Sequence, residues 1–241
     1  MQFEDFNSKI HTAFAKNGMS SMITKETVSK FYDFTEYLLE TNKITNLTAI
    51  TDIDGVILKH IVDSVAISPA IPHDANVIDV GCGPGFPSIP LAIVRDDLQI
   101  TALDSTGKKI DFVNSAVAKL QLSNIKGVCS RAEEFAIEFR EKFDVSVSRA
   151  VARLNVLAEI SLPLVKVGGT FIAMKSNKGE EEYAEAKKGI EILGASLTKI
   201  EKCSFTNSAE AIERETYIFS KNHKTPSQYP RKYAQILKKP L

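Results

Sequence analysis

The sequence predicts an α/β fold, an open and mostly parallel sheet with helices on both faces, preceded by a helical extension. Two observations carry this. From Asn76 onward short β-rich runs alternate with helical stretches, and the connections are long enough to cross over between parallel neighbours. Before residue 76 no strand signal occurs, whereas apolar residues recur at helical spacing.

In chain order, Phe3, Phe6, Ile10 and Phe14 mark a first helix. Thr24 is a suitable N-cap for a second, whose apolar face is Val28, Phe31, Phe34, Tyr37, Leu38 and Leu39. A polar break, TNKITNLTAITDID, separates these from a third periodic segment, Val56 to Ile67, which Ser68 and Pro69 end. NVIDV, LQITALD, IKGVCS and FDVSVS then read as strands, with PSIPLAIVRDD, GKKIDFVNSAVAKLQL and RAEEFAIEFREK as the helices between them. ARLNVLAEISLPLVK reads as a helix, and Gly168 and Gly169 turn the chain into a strand, TFIAMK. A helix from about Glu180 to Leu193 leads to SLTKIEKCSF and RETYIFSK, a closing antiparallel pair. The expected division is a helical cap over residues 1–70, an α/β domain over 71–220 and a basic tail over 221–241.

Composition narrows the class. No stretch approaches the roughly 20 apolar residues that span a bilayer, and the start, MQFEDFNSKI, is acidic where a signal peptide is basic, so the reading is cytoplasmic. Cys82, Cys129 and Cys203 lie far apart without a CxxC pair, which suggests neither a disulfide framework nor a metal site. Net charge is zero, but the tail carries five Lys, one Arg and no acid, so it is +6 against −6 for the rest. Such a tail is either a solvated end or an arm that neutralises nucleic-acid phosphates.

The densest signal is VIDVGCGPGFPSIPL, residues 77–91, in which Gly81, Gly83 and Gly85 follow a strand and precede a helix. Glycines there let backbone pass close to a ligand. The dinucleotide fingerprint needs G-x-G-x-x-G, and here the third glycine falls one residue early, with Phe86 in its place. An acid followed by G-x-G-x-G suits S-adenosylmethionine, which has no pyrophosphate. No GK[ST] follows, which excludes a P-loop.

Asp104 ends the second strand, 19 residues after Gly85, where a carboxylate can accept both ribose hydroxyls of an adenosyl group. It can also simply cap the next helix. Asp79, at the end of the first strand, is a weaker candidate. Ala132 and Glu133 follow the third strand, where adenine would lie, although acids at a helix start need no ligand to explain them. After the fourth strand SRAVARL lacks both the [DNS]PP[YF] motif of amine methylation and the cysteine nucleophile of C5 methylation. Guanine N7 is already an exposed lone pair and requires no general base. Arg149 and Lys175, ending strands four and five, can hold phosphate or bond guanine O6; each can equally be a surface cation.

Taken together, NLTAI, KHIVDS, DVGCGPGFPSIPLAI, ALDSTGKKIDFV, RAEEF, SRAVA, AMK and TPSQYPRK resemble the small-subunit ribosomal RNA guanine-N7 methyltransferase family, also called glucose-inhibited division protein B. The resemblance implies a seven-stranded class I S-adenosylmethionine-dependent methyltransferase sheet, Rossmann-like, with an N-terminal helical extension. It implies S-adenosylmethionine as methyl donor and one guanine in the 530 loop of 16S ribosomal RNA as acceptor. Free 16S RNA, an assembly particle and the small subunit all stay open as the form of the substrate, and the chain is expected to be a monomer. Carried over by motif, Gly81, Phe86, Ala132, Glu133 and Arg149 would contact the cofactor, with Asp104 at the ribose. His60, Asp63 and Ser64 match an H-x-x-D-S stretch near the site mouth. Cys82, Ser88 and ALDS depart from the commoner residues but preserve size and polarity. Because the body is acidic, Lys108, Lys109, Arg131, Arg149, Lys175, Lys178 and the tail are expected to form a local basic rim.

The alternatives are a methyltransferase of the same fold acting on another RNA, a protein or a small molecule, and a non-catalytic or dinucleotide-dependent protein, for instance an NAD enzyme using the same βαβ unit.

Overall fold

The structure is a computed structural model that describes residues 2–149, 152–176 and 179–241. Seven strands form one sheet: β1 (Asn76–Val80), β2 (Gln99–Asp104), β3 (Ile125–Cys129), β4 (Phe143–Arg149), β5 (Val165–Lys175), β6 (Ala195–Thr206) and β7 (Ala211–Lys221). Their order is β3-β2-β1-β4-β5-β7-β6. The pairs among β1 to β5 are parallel, and β7 runs antiparallel between β5 and β6. Because the chain leaves β1 toward β2 and β3, then returns to β4 on its other side, a crevice opens beyond the carboxyl ends of β1 and β4.

Alternation along the central strands sorts side chains onto two faces. Val77, Ile100, Ala102, Val145, Val147, Ile172 and Met174 share a core with the N-terminal helices. Ile78, Val80, Leu103, Phe171 and Ala173 face the helices Ala132–Glu138, Leu154–Ser161 and Gly179–Ile192.

The N-terminal helices are Phe3–Lys16 and Lys25–Thr45. Thr24 caps the second through its hydroxyl and the Thr27 N–H. They bury Phe6, Phe14, Phe31 and Phe34 completely. Asn46 ends the second helix in the left-handed region. Asn42 then pins the following loop, its carbonyl accepting from the N–H groups of Leu47 and Thr48 and its amide donating to the Thr48 carbonyl. The third helical segment runs over 53–65 and passes through a wide π turn, Val56–Val62. Polar bonds tie this cap to the tip of the β6–β7 hairpin: Asn17 to Thr206, Asn207 to the Asp54 carbonyl, and Lys59 to Glu210 at 2.6 Å.

Among the boundaries that differ from expectation, two meet at Pro163. The helix expected over 152–166 covers Leu154–Ser161, followed by a single 3-10 turn, Leu162–Leu164, because Pro163 has no N–H to continue it. β5 accordingly begins at Val165, with a register shift opposite Phe143–Val145, rather than after the paired glycines. The basic tail also folds back onto the body and contains a short helix, Tyr233–Lys238.

Candidate active site

Three cavities lie in a row along the carboxyl edge. The first, about 260 Å³, is lined by Gly81, Leu103, Asp104, Arg131, Ala132, Glu133, Ile160 and Tyr233 among others. The second, about 380 Å³, is bounded by Thr48, His60, Gly81, Gly83, Phe86, Asp104, Lys109 and Arg149. The third, about 480 Å³, includes Lys59, His60, Asp63, Arg149, Lys175, Glu182 and Arg214. Asp104 and Gly81 are common to the first two, and His60 and Arg149 to the last two. The row therefore carries an acid at its first joint and a cation at its second.

The glycine loop shapes the middle of this row. Gly81, Gly83 and Gly85 all have positive φ, of 76°, 57° and 95°. The turn is held by the Gly81 and Cys82 N–H groups donating to the Leu103 carbonyl, at 2.7 and 3.0 Å. The Gly83 N–H donates to Asp104 Oδ2 at 3.0 Å, and the Thr106 N–H donates to Oδ1 at 2.9 Å. A carboxylate accepts about four hydrogen bonds, so Asp104 retains acceptor capacity toward the cavities it lines.

The glycines are not equivalent. A Cβ at Gly85 would collide with Ile89 Cδ1 and lie 2.7 Å from its Cγ1, whereas one at Gly83 would meet nothing within 4 Å. Gly85→Ala is expected to cost about 1–3 kcal/mol of stability through backbone strain and overpacking. Gly83→Ala should cost less stability while placing a methyl group at the second cavity. Urea unfolding and ligand titration of the two variants check this, and equal stabilities would contradict it.

Around the second joint, His60 stacks on Phe86 with ring centroids 4.3 Å apart, and Phe86 packs on Phe34 at 5.4 Å. Phe86 is only 3% exposed, so packing occupies most of its surface. Arg149 Nη1 donates to the Lys59 carbonyl and to Asp63 Oδ2, at 2.7 and 3.0 Å, and Nη2 approaches His60 Nδ1 at 3.2 Å. A guanidinium can only donate, so Nδ1 is the acceptor and Nε2 carries the proton, donating to Thr48 Oγ1 at 2.8 Å. Burial, aided by the Arg149 charge, lowers the His60 pKa to about 3. Burial also pulls the Arg149 pKa down, against the opposing Asp63 carboxylate. Asp63 Oδ1 accepts from Arg214 Nε on β7 at 3.1 Å.

Lys175 is buried and donates to the Ala152 carbonyl and Glu182 Oε2, both at 2.6 Å. Glu133 pairs with Arg131 Nε at 2.5 Å.

The structure thus brings Gly81, Gly83, Phe86, Asp104, Ala132, Glu133, Arg149 and Lys175 to one edge, while Gly85 supports the loop from behind. Asp79 is fully buried beneath it, one oxygen accepting the Ser88 N–H at 3.1 Å. Ser64 is also buried and lines none of the three cavities. Of the expected basic rim, Lys108 is exposed and Lys109 half-buried at the second cavity. Arg149 and Lys175 line cavities as well, with part of their donor capacity taken by internal contacts. Lys178 lies outside the described residues. Sequence reading missed Glu182, Arg214 and Tyr233 as cavity residues, because each arrives from a distant element with no local motif.

The family model for GidB, rRNA small subunit methyltransferase G, matches residues 27–211. The ribosomal RNA small subunit methyltransferase G of Staphylococcus aureus strain Newman is 45% identical over 224 residues, covering 91% of this chain and 92% of that protein. Among solved structures, M. jannaschii TYW2 in complex with AdoMet superposes with a TM-score of 0.55 at 15% identity, over 67% of this chain and 76% of that one. The precorrin-6y C5,15-methyltransferase of Geobacter metallireducens GS-15 gives 0.52 at 14%, over 73% and 92%. These two establish the fold alone, that of the class I S-adenosylmethionine-dependent methyltransferases. The sequence matches go further: the chain belongs to the rRNA small subunit methyltransferase G family.

Proposed function

We propose that this protein transfers a methyl group from S-adenosylmethionine to N7 of one guanine in the 530 loop of 16S ribosomal RNA. Family membership makes methylation of small-subunit rRNA the reaction class, and the acceptor atom and donor are the finer reading. The observation that carries it is the continuous row of cavities whose first two are joined by Asp104 and the glycine loop. The residues fit the donor: the open space over Gly83 admits a ligand against bare backbone, and Asp104 has acceptor capacity left for ribose hydroxyls. Ala132 and Glu133 would hold the adenine end, and Arg149 the amino-acid end. S-adenosylmethionine supplies an electrophilic methyl group on a sulfonium.

The third cavity suits the acceptor. Lys175 and Arg149 are already positioned by Glu182, Ala152, Lys59 and Asp63, so either can donate toward guanine O6 or a phosphate without reorganising. His60 is held neutral with its proton on Nε2 directed at Thr48, and N7 attack needs no proton removed. What these residues contribute is orientation and exclusion of water. A same-fold methyltransferase of another RNA, a protein or a small molecule is the competing reading.

Methyl transfer to small-subunit RNA or its particle should leave a product whose chain can be cleaved chemically at N7-methylguanine. A methyl group on a ribose or an exocyclic amine would sink the N7 reading. Asp104→Ala should weaken S-adenosylhomocysteine binding by about 1–3 kcal/mol, because it removes a charged acceptor. Unchanged affinity by calorimetric titration would reject Asp104 as the ribose ligand.

A further inference from the structure

The segment after β7 lies beyond residue 211, where the family model ends, yet it forms part of the first cavity. It is strapped to the body at several points. Arg140 donates to the carbonyls of Thr225, Pro226 and Tyr229, at 2.6, 3.0 and 2.7 Å. Lys221, 1% exposed, donates to the Leu162 carbonyl at 2.7 Å and to Thr225 Oγ1 at 2.5 Å. Arg231 meets the fully buried Glu159 through Nε at 2.8 Å, Nη2 at 2.5 Å and its own backbone N–H at 3.0 Å. Ile236 is wholly buried in the core that also contains Ala132 and Ile160.

These anchors place Tyr233, half-buried, on the cavity wall. The Arg131 guanidinium lies 4.4 Å from its ring centroid and also pairs with Glu133. The cavity therefore combines an aromatic ring with the small and aliphatic side chains of Ala132 and Ile160, and places Asp104 on its margin. A flat heteroaromatic ring bearing a ribose matches that combination: the base takes the aromatic and aliphatic surface, and the hydroxyls take the carboxylate.

We infer that the C-terminal segment is a structural part of the cofactor site, with Tyr233 as a binding residue for the adenine end of the ligand. The inference rests on the cofactor reading above and extends it to a chain segment that the glycine-loop motif does not include. Since the ring forms the wall only when the segment is docked, ligand binding and docking are coupled, and each favours the other. The tail's positive charge is partly consumed in this docking, through Lys221 and Arg231. Lys224, Lys232, Lys238 and Lys239 remain exposed.

The test is calorimetric titration of S-adenosylhomocysteine and of methylthioadenosine, which lacks the amino-acid end, into the full chain, Tyr233→Ala and Tyr233→Phe. The full chain should bind both. Tyr233→Ala should bind each roughly tenfold more weakly, by the same factor, and Tyr233→Phe should restore most of the affinity. Saturating S-adenosylhomocysteine should slow tryptic cleavage after Lys224 and Lys232 in the full chain. Undiminished binding by Tyr233→Ala, a loss confined to S-adenosylhomocysteine, or cleavage indifferent to ligand would overturn the inference while leaving the cofactor reading intact. Failure of the full chain to bind S-adenosylhomocysteine would overturn both. The unliganded melting temperature of each variant separates a local loss from unfolding: Tyr233→Ala should melt within a few degrees of the full chain, and a collapse of its fold would identify Tyr233 as a core residue instead.

Discussion

Asp63→Ala is expected to lower stability by about 3–5 kcal/mol, the cost of removing one partner from a buried ionic cluster. Asp63 is 1% exposed and its two oxygens are divided between Arg149 and Arg214. Arg149 is itself largely buried, and the two guanidinium groups repel one another. With the carboxylate gone the two guanidinium groups lose the counter-charge that bridges them. The loss is larger than for an exposed ion pair, which contributes roughly 0–1 kcal/mol. The same change frees Arg149 from one of its anchors between the second and third cavities, so methyl transfer assayed well below the melting temperature should fall as well. Urea unfolding should show a lower midpoint with an unchanged slope. A shift below about 1 kcal/mol would mean that solvent reaches the arginines and that the cluster is not an internal one.

That cluster also explains what the sequence could and could not convey. His60 and Asp63 stand one helical turn apart, an ordinary local pattern, and they stood out only through resemblance. Their partners come from β4 and β7, and Arg214 has no periodicity that relates it to residue 63. Glu182 and Tyr233 were invisible for the same reason. By contrast Gly81, Gly83, Asp104, Ala132 and Glu133 were legible because a parallel sheet delivers successive strand ends to one edge, so motifs at those ends converge whatever lies between them. The strands were readable from apolar runs bounded by Gly, Asp and Ser. The boundary at 162–165 was not, since Leu-Pro-Leu-Val is apolar on both helical and strand periods, and only Pro163 argues for the break. Charge counting gave the tail +6 but could not show that Arg231 is paired with a buried carboxylate or that Lys221 is withdrawn from water.

The acid response should expose two buried groups that oppose one another. Asp79 has no exposed surface, and its Oδ1 has no hydrogen-bond partner among the described residues. Burial raises its pKa to about 7. Below the ordinary aspartate value both folded and unfolded chains hold this proton. As pH rises from about 4 to 7 the unfolded chain releases it first, so the fold loses stability by about 1.4 kcal/mol per pH unit, or about 4 kcal/mol in all. His60 behaves oppositely. Its folded pKa of about 3 means that, as pH falls from 6.5, the unfolded chain takes up a proton that the fold excludes, and stability declines toward acid at a similar slope. Between about pH 4 and 6.5 the two slopes cancel, and these sites contribute a nearly flat profile. Asp79→Asn should unmask the histidine, giving a protein whose stability rises with pH through that window and exceeds the parent by the greatest margin above pH 7. His60→Asn should unmask the aspartate and tilt the profile the other way. The contrast between the variants is the decisive quantity, because background titrations common to both drop out of it. Denaturant melts at pH 4.5, 5.5 and 6.5 measure it. Parallel profiles for the two variants would show that neither group is sealed from solvent, and that the layer beneath the glycine loop is wet rather than dry.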